Sequence, residues 1–328
     1  MNDTIIPNLV STIIPVYNRP KMVIRAVESV LSQCYRPIEI ILVNDGSTDE
    51  TASVLNHLKQ QYPKEIRVIH KENEGPGLAR EAGRQLAQGE FIQYLDSDDW
   101  LLPNKFEDQV SALRKNPNAE IAYGISRLVD QHGNVLREPS KWTGKELPYL
   151  FPALLLDRWW HTHTPLYNRT ISDKAGSWEN YRPEDWDLEA RMGQYQPKLV
   201  HCGTVVSCQV HHNLGERVSQ GKFQDYIRDE YRFLPRLYQC SVYAGVSRSS
   251  PEMQHFSRWV FMRSRQLGQL GESEKAWKLL KLYEEASLRK GADYYMVKLS
   301  AKTIGWQITG HLCHLVERYK DGKLWVRK

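Results

Sequence analysis

Three of the four residues Asp96-Ser97-Asp98-Asp99 are carboxylates, placed directly after the apolar run Phe91-Ile-Gln-Tyr-Leu95 and before Trp100-Leu-Leu-Pro103. Carboxylates this close repel one another, and a hard divalent cation such as Mg²⁺ or Mn²⁺, shared with substrate phosphates, makes such a cluster tolerable. The competing reading is that acidic loop residues cap the following helix; a place at a strand end favours the cation. A second acidic set is Pro183-Glu-Asp-Trp-Asp-Leu-Glu-Ala-Arg191. There Glu184 and Asp185 precede a helix whose Leu188 and Met192 face inward. A carboxylate near a helix N-terminus stays ionised, as a proton acceptor must; the alternative is N-capping by Asp185, with Asp187 in the first turn. A third feature is Gly75-Pro-Gly-Leu-Ala-Arg80, a glycine-rich turn that opens a helix, where backbone N–H groups and Arg80 can face a diphosphate.

These residues need a frame that brings them together. Residues 10–16 and 38–43 are short β-branched runs of the kind buried on both faces of a sheet, and between them Val23, Ala26, Val27, Val30 and Leu31 recur at helical spacing. The alternation continues with a helix at 51–61, a strand at 66–70, a helix at 78–87 and a strand at 91–95. This predicts an α/β fold, a mostly parallel Rossmann-like sheet flanked by helices, with a ligand crevice at the C-terminal strand ends. Tyr17, Asn18, Asp45, residues 72–77 and residues 96–99 all fall at those ends. A looser region over 103–181 holds a predicted hairpin around His132-Gly-Asn134 and the run Trp159-Trp-His-Thr-His-Thr164, in which His161 and His163 share a face if extended. After Gly221 the pattern turns helical. The expected division is therefore a catalytic domain over 1–220 and an α-helical C-terminal region over 221–328, in which 271–288 reads as an ordinary helix hairpin.

The chain of 328 residues is rich in rings, with 10 Trp and 17 Tyr, which read first as core. Its 5 cysteines have no metal or redox spacing, which points to a reducing cytosol. The first residues lack an export signal and no apolar run is long enough to span a bilayer, so a cytoplasmic location is expected. From Met253 onward there are 15 Lys and Arg against 7 Asp and Glu, net +8, whereas the preceding part has 29 against 32, net −3. A basic tail on an acidic body argues against nucleic acid as partner. It suits contact with something anionic, such as the inner face of a membrane. An apolar stripe of Val297, Ala301, Ile304, Ile308, Leu312, Leu315 and Tyr319, flanked by Lys298, Lys302, Arg318 and Lys320, fits either packing or an interfacial helix; Gly305 and Gly310 interrupt it.

Pro15-Val-Tyr-Asn18, Val43-Asn-Asp-Gly-Ser-Thr-Asp49, Asn73-Glu-Gly-Pro-Gly-Leu-Ala-Arg80 and Leu95-Asp-Ser-Asp-Asp99 resemble, in order and spacing, the family 2 glycosyltransferases of the GT-A fold, over residues 8–220. The resemblance implies an inverting enzyme that uses a nucleotide-sugar, usually a UDP-sugar, with a divalent metal, Mn²⁺ or Mg²⁺. The acceptor would be a hydroxyl of a glycan, a lipid-linked molecule or another glycoconjugate. It places the nucleoside against Pro15, Val16, Tyr17 and Asn18, with Asp45 on the pyrimidine edge; an Asx-turn is the alternative for Asp45, and Asp49 fits an N-cap. Gly77 and Arg80 would face the diphosphate and Asp96 the ribose, with Ser97 also among the nucleotide-sugar contacts. Asp98 would bind the metal, with Asp99 a second ligand or an N-cap, and His211 or His212 a further contact. Asp185, after Glu184, would take the acceptor proton, and His161, His163 and Trp186 would lie near the acceptor. A nucleotidyltransferase should instead carry a glycine-rich basic loop where Pro-Val-Tyr-Asn stands, and a binding module should have lost a carboxylate set that is intact here.

Overall fold

A computed structural model describes residues 5–211 and 223–325 of the chain, with side chains for all of these except 223 and 317–325. The chain forms two compact units, one from Met1–Leu150 and Asp157–Arg217, the other from Phe151–Leu156 and Val218–Lys328.

The first unit opens with the expected alternation: β1 (Ile6–Val16), α1 (Met22–Leu31), β2 (Ile38–Asp45), α2 (Thr51–Gln61), β3 (Ile66–Lys71), α3 (Pro76–Leu86) and β4 (Gly89–Tyr94). All 8 residues of β2 are buried, which is why its apolar run shows no alternation. Beyond it come β5 (Trp100–Leu101), α4 (Lys105–Lys115), β6 (Ala119–Val129), β7 (Val135–Arg137), β8 (Leu166–Asn168), α5 (Arg169–Ala175), α6 (Glu184–Gly193) and β9 (Lys198–Val210). They build one sheet in the order β3-β2-β1-β4-β8-β6-β9-β5, with β7 paired to β6. β1 pairs in parallel with β2 and β4, and β2 with β3, whereas β8 is antiparallel to both neighbours. The hairpin around residue 133 is the β6–β7 turn, its tip held by Asp130, whose carboxylate accepts from the backbone of His132 and Asn134.

The ends of the parallel strands meet as the alternation requires. Val16 pairs with Asn44 and Asp45 with Lys71, and Leu95 N–H donates to Ile13 at 3.0 Å. The helix α3 lies close on this sheet, since a side chain at Gly83 would meet Ile13 Cγ2 at 2.5 Å.

The second unit is helical: α7 (Phe223–Tyr243), α8 (Pro251–Gln269), α9 (Ser273–Ala286), α10 (Ala292–Thr303) and α11 (Trp306–Trp325). The stretch 271–288 holds a single helix, α9, which packs on α8 as the second arm of a hairpin. The predicted apolar stripe is split: α10 and α11 break at Gly305, whose φ of +84° is a left-handed conformation that glycine adopts without strain. Val297 and Ala301 are buried, but Ile304, Ile308, Leu312 and Leu315 are exposed. α11 packs instead through Trp306, Thr309 and Gly310, where an added Cβ would stand 2.3 Å from Gln269 N. Small residues allow that close approach to α8 and turn the larger apolar ones outward. The side chains of Arg318, Tyr319 and Lys320 lie outside the described residues.

Candidate active site

At the end of β1, Pro15 and Val16 are buried, and Tyr17, 45% exposed, is the member of that motif with an open ring face. Asn18 has φ of 50° and ties its turn to the next loop, its Oδ1 accepting from Thr48 N–H at 2.9 Å and its N–H donating to Ser47 Oγ at 3.0 Å. The turn of the next motif is closed by Asn44, whose Oδ1 accepts from Ser47 N–H at 3.1 Å. Asp45 is buried and reaches across instead, accepting from the N–H groups of Glu74 and Gly75 at 3.0 and 2.9 Å and from Lys71 Nζ at 3.1 Å. It thereby holds the glycine-rich turn on the strand ends. Asp49 accepts from Thr51 N–H at 3.0 Å, a capping contact made one residue ahead of the N-cap Glu50.

Two residues expected at a diphosphate have structural work. A side chain at Gly77 would meet the Glu179 carbonyl oxygen at 1.9 Å, so only glycine lets the start of α3 sit under the segment leading to α6. Arg80 is buried against the Trp178 ring, and donates to Asp96 Oδ1 at 2.6 Å and to Glu184 Oε1 at 2.9 Å. Burial alone would lower its pKa, but Asp96 and Glu184 outweigh that and keep it a cation. A buried charge persists only when paired. Arg80 thus joins the two acidic sets.

In the acidic loop Ser97 is buried and Asp96 half-buried. Asp98 is pushed up to about 7 by burial and by the charges of Asp99 and Asp96. Asp99 is no N-cap: α4 begins after Asn104, and Asp99 turns inward, where Oδ1 accepts from Val210 N–H at 2.8 Å and Oδ2 lies 2.8 Å from His163 Nδ1. The expectation that His163 touches an acceptor also fails, because its ring is fully buried. It stacks on His161 with centroids 5.7 Å apart, and His161 Nε2 is 3.0 Å from Ser140 Oγ. His211 is exposed at the end of β9, its N–H on Val129 O at 2.7 Å; His212 lies outside the described residues.

The residues present fit a divalent cation. Asp96, Asp99 and His163 offer ligand atoms within 4.8 Å of one another, and neither ring nitrogen of buried His163 makes an aligned hydrogen bond. Carboxylate oxygens with one imidazole suit Mn²⁺ or Mg²⁺. Sequence reasoning did not bring His163 to this cluster, since it lies more than sixty residues further along the chain.

On α6 the N-cap is Pro183, so Asp185 sits inside the first turn and N-capping does not account for it. Its Oδ2 pairs with Arg158 and accepts from Thr162 Oγ1 at 3.2 Å, and its Oδ1 accepts from Trp186 N–H at 2.8 Å. Burial works to raise this carboxyl, but Arg158 and then Arg80 outweigh it and hold it below the usual range. Glu184 is raised, by burial and by the charge of Asp185. Asp187 is structural, accepting from the Tyr181 hydroxyl at 2.6 Å and from Arg191 Nε at 2.8 Å. Arg158 was not anticipated, although Asp185 and Glu189, both bonded to it, stand four apart on one helix face.

Comparison with known proteins gives the family and the fold. Chondroitin synthase of Escherichia coli is 36% identical over 196 residues, covering 58% of this chain and 27% of that protein. An uncharacterized glycosyltransferase of Rickettsia conorii is 45% identical over 130 residues, covering 39% of this chain and 21% of the relative. The chain spans about a fifth of the length of several curated relatives it matches, among them three from Rickettsia. Among solved structures, S. aureus TarS 1–349 in complex with UDP-GlcNAc superposes with a TM-score of 0.67 at 17% identity, over 95% of this chain and 92% of that one, which shows a shared GT-A fold with a helical C-terminal region. The sequence pattern described as glycosyl transferase family 2 matches residues 11–175, half of the chain, and the chain belongs to that family.

Proposed function

We propose that the chain is an inverting, metal-dependent glycosyltransferase that moves a sugar from a UDP-sugar to an acceptor hydroxyl in glycan or glycoconjugate synthesis. One observation carries the reading: Arg80 joins Asp96 of the acidic loop to Glu184, the neighbour of Asp185, so the two carboxylate sets border one site. The fold neighbour TarS, crystallised with UDP-GlcNAc, supports a nucleotide-sugar donor. Tyr17 would stack on the uracil and Asp45 would take its edge. Asp96, Asp98 and Asp99 would hold a divalent cation, with His163 behind Asp99, and the cation would supply positive charge to the departing diphosphate. Asp185 would remove the hydroxyl proton as the acceptor oxygen bonds the anomeric carbon and UDP leaves from the opposite face. Residues 1–220 would form the catalytic domain.

The same proposal places the enzyme against an anionic lipid surface. Tyr295, Met296, Leu299, Ile308, Leu312 and Leu315 are exposed on α10 and α11, in a part of the chain whose sequence is net basic. Among the described residues no helix is long and apolar enough to cross a membrane.

The test is incubation with UDP-GlcNAc and other UDP-sugars in Mn²⁺ or Mg²⁺. Metal-dependent release of UDP supports the proposal. Release of pyrophosphate from a nucleoside triphosphate, or binding of UDP with no turnover of any donor, contradicts it.

A further inference from the structure

Arg158 lies between two carboxylates of one helix. Its Nη1 pairs with Asp185 Oδ2, while its Nε and Nη2 donate to Glu189 Oε1 at 3.1 and 2.7 Å. Asp185 and Glu189 are one turn apart on α6, so they share a single guanidinium. Glu189 is held in turn by Trp160 Nε1 at 2.9 Å, with the Tyr167 hydroxyl at 3.4 Å. The side chain of Glu189 is 1% exposed, that of Arg158 9% and that of Asp185 24%. The stack therefore runs from the core outward and ends on the carboxylate that reaches solvent.

We propose that Arg158 is a positioning residue for sugar transfer: it fixes Asp185 through Oδ2 and aims Oδ1 at the acceptor hydroxyl, while Glu189 offsets its charge. The inference rests on the reading of Asp185 as the base. With both carboxylates ionised the three side chains carry one net negative charge, and a proton arriving on Asp185 brings the cluster to neutrality. Without Glu189, the same proton would leave a buried, uncompensated guanidinium, which a low-dielectric site disfavours. Without Arg158, the two carboxylates repel, and Asp185 keeps its proton to higher pH as well as losing its anchor. The other charged or titratable groups that act on Asp185 are Arg80 from α3, Lys141 from the loop after β7, Glu184 beside it and Tyr167 on β8. They stay in place when Arg158 or Glu189 is changed.

The experiment compares wild type, Arg158→Gln, Arg158→Lys and Glu189→Gln by the pH profile of Mn²⁺-dependent UDP release from the UDP-sugar the wild type turns over. It adds an infrared titration of the carboxylate band that Asp185→Asn removes. Arg158→Gln should move the acid limb and the band upward by about 1 to 3 pH units, Glu189→Gln should move both downward, and Arg158→Lys should restore most of the wild-type profile, with UDP affinity preserved throughout. A purely structural pair would lower the folded fraction without shifting either midpoint in opposite directions. If Arg158→Gln does not fold, the isosteric Glu189→Gln decides by its downward shift. Unshifted midpoints, with Asp185→Asn inactive, overturn this inference alone; an active Asp185→Asn overturns it together with the base assignment.

Discussion

The backbone N–H of Val210 donates to Asp99 Oδ1 at 2.8 Å, joining the end of β9 to the acidic loop that follows β4. This bond gives Asp99 a role that an alanine cannot fill. Asp99→Ala leaves a buried N–H without its acceptor, which costs about 1 to 3 kcal/mol. Asp99→Asn, whose amide oxygen can still accept, should cost less. Chemical unfolding measures both; an alanine variant as stable as wild type removes Asp99 from the structural account.

Asp98 gives the site a pH dependence. Its carboxyl is raised from the model-compound 3.8 to about 7, so without a cation the folded state loses stability from this group as pH climbs between those values, and no further above them. A cation binds only the ionised carboxylate. Stabilisation by Mn²⁺ should accordingly grow as pH rises through about 7 and then level off, and Asp98→Ala should flatten that rise and weaken metal-dependent UDP binding strongly. Thermal shifts with and without Mn²⁺ across pH check it, and a pH-independent shift would speak against Asp98.

A second buried group titrates away from the site. Lys105 donates to Gln109 Oε1 at 2.6 Å and to Thr164 O at 2.8 Å but meets no carboxylate among the described residues, and burial pulls its pKa down from 10.5 to about 7. Its protonation favours the unfolded chain, so its destabilising effect is complete below about 7 and fades as pH rises toward 10.5. Lys105→Met should be more stable than wild type near neutrality, with the advantage shrinking in alkali. Equal unfolding midpoints at neutral pH would contradict this.

The first four strands and three helices were legible because buried strands and amphipathic helices carry distinct periods, and family motifs marked where their ends converge. The contacts that organise the site were not. Nothing local ties Arg80 to Glu184, residues 104 apart, or His163 to Asp99. Periodicity showed that the C-terminal helices are amphipathic but not which side packs: Gly310 and Trp306 lie against α8, while Leu312 and Leu315 are exposed. The i,i+4 carboxylates of α6 were readable, but their cation at Arg158 came from a segment with no repeating pattern.

The exposed face of α11 has its own test. Leu312→Glu with Leu315→Glu should abolish sedimentation with vesicles containing anionic phosphatidylglycerol while leaving the melting temperature unchanged, because both side chains are already exposed. Wild-type binding should fall as salt rises, since screening shortens the reach of the basic residues. Wild type that never sediments, and instead forms dimers that the double variant splits, would assign the face to a second copy.

The central claim is that Asp185 takes the acceptor proton, and the Asp185→Asn enzyme tests it most directly. Asparagine keeps the shape and its one amide oxygen can still accept from Trp186 N–H, but it cannot take up a proton as a carboxylate does. With Mn²⁺ and the donor that the wild type uses, the sugar-transfer rate should fall by about 10²- to 10⁴-fold, while UDP affinity stays near wild type because the proposed nucleotide contacts lie on other loops. Transfer by the asparagine variant at close to the wild-type rate would contradict the account and move the base elsewhere.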